Sequence, residues 1–202
     1  MKILHKKEKI VFGYFNLANS ITLLGLILSQ SSCFSALLGY IRQSVILLIL
    51  SGFCDLFDGV AARAAKRTEL EKEFGVQLDT VVDVASFGIT PAIIVFSTAG
   101  AAWIALFAYV LYVICAVVRL AYFNTAIISD MAAGFSRGLQ VTYISLILPV
   151  VLLFHSAYIS VITLTAVGLL FVINIKIPKP RGVWYVLMPI AAIALIIIWW
   201  RL

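Results

Sequence analysis

Charge is what this chain has least of. Asp, Glu, Lys and Arg make up 12% of its 202 residues, while 63% are hydrophobic. A soluble domain is about half apolar and about a quarter charged. With a mean hydropathy of +1.12, the composition excludes a soluble globular domain and requires an integral membrane protein. Histidine is nearly absent: His5 sits in a basic tail and His155 at a span end, so neither suggests imidazole chemistry. Cys33, Cys54 and Cys115 are scattered without metal-ligand spacing and read as buried membrane-core thiols. There is no internal repeat and no low-complexity linker. A cleavable secretory signal is not visible either, because the basic "MKILHKKEK" runs into a full-length apolar span. The expectation is one integral membrane domain over residues 1–202.

What is present is a series of apolar runs. Spans are predicted near residues 15–31, 41–65, 74–98, 101–125, 138–155, 157–175 and 183–201. They are separated by short polar breaks: "SQSSCFS", "KRTELEKE", "SDMAAGFSRG", "HS" and "KIPKPRG". Pro91 falls inside the third run and is expected to kink it. With the N-terminus in the cytoplasm, all of the 15 basic residues except Arg42 and Arg201 fall on or near the cytoplasmic side. That asymmetry orients the chain. The net charge of +6 is then explained by topology and anionic lipid, and no nucleic-acid partner is needed.

Nine residues are acidic, and they divide into two groups. Glu8, Glu69, Glu71 and Glu73 lie among basic residues, and Asp130 lies in a polar loop; these read as solvated. Asp55 and Asp58 instead stand three apart at the end of an apolar helix, and Asp79 and Asp83 stand four apart at the start of the next. Both spacings put the pair on one helix face. A short connection makes the two helices antiparallel neighbours, so the acidic faces can meet near the inner membrane surface. A carboxylate within a span costs about 2.5–3.5 kcal/mol, and Arg63 alone cannot neutralise four. Oxygen-only ligands point to hard cations, Mg2+ or Mn2+, and four carboxylates allow two ions. Two such ions beside an arginine suit phosphoryl chemistry on a diphosphate. Gly59, Ala61, Ala62 and Gly75 leave room for a ligand near the backbone.

Taken together, "DLFDGVAAR", Gly75, Asp79 and Asp83 resemble the signature of the CDP-alcohol phosphatidyltransferase family, D-x2-D-G-x2-A-R-x8-G-x3-D-x3-D. Every fixed residue is present: Asp55, Asp58, Gly59, Ala62, Arg63, Gly75, Asp79 and Asp83. One departure is that "AAKRTELEKEF" puts eleven residues, not eight, between Arg63 and Gly75; a longer inter-helix turn is expected. The resemblance implies an all-α polytopic bundle with a six-helix core and a homodimer. It also implies two metals on Asp55, Asp58, Asp79 and Asp83, and transfer of a phosphatidyl group from a CDP-linked lipid with release of CMP. Asp83 would be the general base. Asn19, Thr22, Asp55, Gly59, Ala62, Arg63 and Gly75 would line the CDP site, Asn19 and Thr22 through a similarity of "LANSIT" to the family's first helix.

Three further stretches narrow the acceptor. "SFGITPA", "RLAYFN" and "NIKIPKP" look like the prokaryotic membrane-bound phosphatidylserine synthases, extending the resemblance over most of residues 15–181; the last span would be an added helix. The implied substrates are CDP-diacylglycerol and L-serine, in a prokaryotic inner membrane with the active site facing the cytoplasm. Ser86, Arg119 and Arg137 are the acceptor-site candidates, the arginines as partners for the serine carboxylate. Tyr122 and Gln140 depart from the usual pattern. Another alcohol acceptor of the same family is the alternative. A cation transporter is the remote one, disfavoured because the acids cluster at one membrane face beside an arginine rather than at the midplane.

Overall fold

A computed structural model describes residues 13–100, 102–130, 135–178 and 184–202. The basic N-terminal tail, Lys179 and Arg181 lie outside the described residues, as does the side chain of Arg137. The helices are α1 (Leu17–Leu37), α2 (Ile41–Ala64), α3 (Glu69–Asp83), α4 (Thr90–Ala99), α5 (Trp103–Asp130), α6 (Ile144–Leu152), α7 (Ala157–Val172) and α8 (Trp184–Arg201). A π-helical segment, Val84–Ile89, joins α3 to α4, so Glu69–Ala99 is one rod. Four elements, Leu17–Leu37, Ile41–Ala64, Glu69–Ala99 and Trp103–Asn124, are long and apolar enough to cross a membrane; the later helices are shorter and apolar. The architecture is the expected all-α polytopic bundle. Its only extended pairing among the described residues joins β1 (Phe135–Arg137) to β2 (Lys176–Pro178), antiparallel, with Ser136 opposite Ile177.

Two expected breaks are helical. "SQSSCFS" continues α1, because its hydroxyls find carbonyl partners across the bundle and within the helix itself. Ser32 donates to the Ser44 carbonyl at 2.7 Å, and Ser35 donates to the Ser31 carbonyl at 2.8 Å. Satisfied hydroxyls do not end a membrane helix. The charged connection is also shorter than expected, with only residues 65–68 between α2 and α3. Thr68 and Glu71 form a reciprocal capping box that starts α3 at Glu69. The extra residues therefore extend α3 instead of the turn.

Pro91 acts differently from a simple kink. It sits in the first turn of α4, directly after the π-helical segment. Proline cannot donate to the carbonyl four residues back, that of Phe87. The buried Tyr112 hydroxyl donates to that carbonyl at 2.6 Å instead. Around Tyr112 lies the apolar core, with the Phe171 ring 5.5 Å away and Ile94, Val95, Leu148 and Leu164 buried nearby. Helices α5 and α7 touch backbone to backbone, since a Cβ on Gly168 would lie 3.1 Å from the Tyr112 Cα. The outward surface is also apolar: Trp103, Ile104 and Tyr158 are more than four-fifths exposed, as lipid-facing side chains are.

The remaining helices are pinned by polar contacts. Trp199 donates through Nε1 to the Pro149 carbonyl at 3.1 Å, tying α8 to α6. Arg42 donates to the Trp200 carbonyl and lies 5.5 Å from that indole ring. Arg42 and Arg201, predicted to share one face, thus lie at one end of the bundle. Gly138 has φ +70° and packs against the Phe171 carbonyl; a side chain there would be strained and would clash.

Candidate active site

Helix α2 delivers Asp55 and Asp58 from its last turns, and α3 delivers Asp79 and Asp83 from its own end. Oxygens of Asp55, Asp58 and Asp79 all lie within 4.8 Å of one another. Asp83 stands just behind them, facing Asp55. A small cavity is lined by all four, together with Thr22, Ser51 and Ser86. Asp58 and Asp83 are both buried. Thr22 donates to the Asp58 carboxylate at 2.6 Å, fixing its rotamer from α1. Such close approach needs small residues: a Cβ on Gly25 would lie 3.1 Å from the Cys54 Cβ.

Four carboxylates in one cavity repel each other and lose hydration, a cost that a bound counter-cation or protonation relieves. The donor set fits a hard divalent ion. It is all oxygen, it carries several negative charges, and opposite oxygens around Mg2+ lie about 4 Å apart. Oxygens of Asp55, Asp58 and Asp79 within 4.8 Å of one another come near that spacing.

The other predicted residues fall into separate places. Asn19, Thr22, Gly59, Ala62 and Gly75 line one cavity of about 110 Å³ with Asp58 and Asp79. Arg63 lies on the other side of α2, where it shares a cavity of about 220 Å³ with Asp55, Gly59, Thr142 and Gln140. That cavity continues along apolar Phe53, Leu56 and Leu146 to Met188 and Pro189 of α8. Ser86 is fully buried and donates to Ser29 at 2.7 Å, so its hydroxyl is used in packing the π-helical segment against α1.

Arg119 does not reach outward to a headgroup. It is 7% exposed, its Nε donates to the Leu139 carbonyl at 3.1 Å, and its guanidinium lies 4.9 Å from the Phe123 ring. Its charge acts on Asp83. A cavity of about 220 Å³ brings Arg119 together with Tyr122, Phe171 and Asn174, joining the "RLAYFN" and "NIKIPKP" stretches. Asn124, from the same stretch, donates to the Thr80 hydroxyl at 2.8 Å. This holds the helix that carries Asp79 and Asp83.

Sequence reasoning misses Arg67. It belongs to the short connection and lines the Asn19–Gly75 cavity. The available signal is its position four residues beyond Arg63, masked by the surrounding charge run. Thr142 is missed as well; it faces Asp55 from the turn before α6, and nothing local in "VTY" marks it.

Fold and site together define a polytopic membrane protein whose clustered carboxylates, from two antiparallel helices, could hold a hard cation at the helix ends. A model of the CDP-alcohol phosphatidyltransferase family matches residues 15–201, through the last helix, and the chain belongs to that family. It is 30% identical over 166 residues to an archaetidylserine synthase of Methanothermobacter thermautotrophicus, covering 79% of this chain and 70% of that protein. It is 32% identical over 146 residues to a CDP-diacylglycerol–serine O-phosphatidyltransferase of Methanocaldococcus jannaschii, covering 72% and 68%. A Bacillus subtilis protein of the latter name is 34% identical over 85 residues, 41% of this chain and 46% of that one.

Proposed function

We propose that the protein transfers the phosphatidyl group of CDP-diacylglycerol to the hydroxyl of L-serine and releases CMP. The carrying observation is the division of labour among the four aspartates. Asp55, Asp58 and Asp79 gather within 4.8 Å, while Asp83 lies behind them under the influence of buried Arg119. Bound at this cluster, Mg2+ or Mn2+, as two ions with Asp83 sharing the second, would neutralise the diphosphate and the charge developing on CMP. Asp83 takes the proton of the serine hydroxyl as its oxygen attacks the phosphorus bearing the diacylglycerol. The bond from that phosphorus to the bridging oxygen breaks, and CMP leaves with the electron pair.

The chain's other residues bind and orient. Arg119 meets the serine carboxylate, with Ser86 as packing support and Arg137 as a second cation. Arg63 contacts the diphosphate from the α2 side, and the apolar groove toward α8 takes part of the lipid. Asn19, Thr22, Gly59, Ala62 and Gly75 surround the nucleotide. The names of the relatives agree on serine and differ in the lipid, which supports the acceptor and leaves the chain type open. The reading also includes one domain over the whole chain, a homodimer, and a prokaryotic inner membrane with the N-terminus and site facing the cytoplasm.

Purified protein incubated with CDP-diacylglycerol and labelled serine, glycerol phosphate or inositol tests the acceptor. CMP release that requires serine is expected. Release with glycerol phosphate and none with serine would sink it.

A further inference from the structure

The short connection between α2 and α3 carries Arg67 over the cavity that holds Asn19 and Gly75. A Cβ built on Gly75 would lie 3.1 Å from the Arg67 Nη1 and 3.1 Å from the Asn19 Oδ1. Both polar groups therefore stand side by side over bare backbone. Asn19 is 2% exposed, and its orientation is set, because Nδ2 donates to the Tyr14 carbonyl at 2.6 Å. Oδ1 is left as the atom facing Gly75 and Arg67. The Arg67 Nε is shielded from solvent and has no hydrogen-bond partner. An unmet buried donor is a standing cost that an acceptor on a ligand removes.

A fixed acceptor beside a fork of donors matches one nucleobase edge. Cytosine offers an exocyclic amine that donates, next to a ring nitrogen and a carbonyl that accept. Uracil offers a carbonyl where cytosine has the amine, and a ring N–H where cytosine has an acceptor. Against Asn19 and Arg67, uracil would set acceptor on acceptor and donor on donor. A side chain at Gly75 would crowd both groups, and the cavity of about 110 Å³ that they line with it leads on to Asp58 and Asp79, where the phosphates would follow.

We propose that Arg67 and Asn19 read the cytosine of the donor lipid, Asn19 Oδ1 accepting from the exocyclic amine and Arg67 donating to the ring nitrogen and carbonyl. This rests on the reading of the donor as a CDP-linked lipid. Arg67 is then a specificity-determining residue for the base. It comes from the segment in which this chain departs from the family spacing.

Binding separates this proposal from turnover. CMP and UMP are titrated calorimetrically into the purified full-length protein with Mg2+, as wild type, Arg67→Met and Arg67→Lys. Wild type is expected to bind CMP at least about tenfold tighter than UMP, since a site built on hydrogen bonds rejects a mismatched partner strongly. Arg67→Met should weaken CMP by about tenfold or more, leave UMP little changed and so erase the preference, with Arg67→Lys intermediate. Equal affinities in wild type would overturn the proposal. So would an Arg67 variant that weakens both nucleotides by one factor, which is the signature of a phosphate contact, or one that changes neither. If Arg67→Met does not fold, the CMP-to-UMP ratio of Arg67→Lys decides the same question. A CMP preference without serine-dependent CMP release would remove the serine reading and leave this one standing. Serine-dependent release without base preference would remove this one alone.

Discussion

The rod from Glu69 to Ala99 carries two different kinds of helix end to end. Its first half, α3, buries only Val82 and Asp83. Its second half, α4, buries Thr90, Pro91, Ala92, Ile94 and Val95 in ten residues. Asp79 and Asp83 belong to the first half, and the shared apolar core belongs to the second. Between them, the π-helical segment Val84–Ile89 is held from α5 by Tyr112 and from α1 through Ser86 and Ser29. Packing density and chemical function have been separated along a single axis. The half that holds charge is braced by hydrogen bonds from its neighbours, and the half that holds the bundle is braced by shape.

The largest expected effects lie in the first half. Asp83→Asn should lower serine-dependent CMP release by at least about 100-fold, the usual contribution of a positioned general base. Asp58→Asn should lose metal-dependent release while the protein still inserts. In both, the unfolding temperature measured without metal should hold or rise, because a like charge has been removed from a crowded cavity. A sharp fall in melting temperature would mean the carboxylates brace the fold, and the contrast between halves would fail.

Next in size is Thr22→Val. Losing the 2.6 Å bond to Asp58 should weaken Mn2+ binding by about 10–100-fold, read by titration of the purified protein. Unaltered Mn2+ affinity would make Thr22 a packing residue only. Asn124→Ala releases Thr80 and should reduce kcat by about tenfold through misplacement of Asp83, with melting little altered. If melting fell instead and kcat held, Asn124 would belong with the structural half.

The smallest effect is expected in the second half. Tyr112→Phe removes one buried hydrogen bond, worth about 1 kcal/mol, and should lower the melting temperature by about 2–4 °C. Its kcat should match wild type. A large catalytic loss from this change would show that the π-helical segment transmits strain to Asp83, and the two halves would no longer be separable.

Much of the molecule is legible in the order of its residues. Seven membrane spans are expected from composition and run length; the described residues form seven apolar helical rods, four of them long enough to cross a membrane. What misleads is polarity read as a loop. "SQSSCFS" is helical because serine hydroxyls can be satisfied by carbonyls within the bundle, and composition does not reveal whether such partners exist. The charged run after Lys66 becomes helix because Thr68 and Glu71 cap it, a local signal that is present and outweighed by the charges around it. In the site, the four aspartates are evident from their cost in a membrane. Arg119 stands out in the sequence too, but as an arginine at a membrane surface; its burial against Leu139 and Phe123 depends on a turn twenty residues away.

Local sequence settles the surrounding solvent, the number of rods and the two acidic faces. Those properties depend on run length and on residues three or four apart, which any helix places on one side. Which faces meet is left to tertiary packing. Thr22 reaches Asp58 across 36 residues, Asn124 reaches Thr80 across 44, and Tyr112 reaches Phe87 across 25. The same packing sets Arg67 and Asn19 together over Gly75. Helical periodicity orients each rod about its own axis but leaves its neighbours unspecified, and only the packing of all the rods at once supplies that choice.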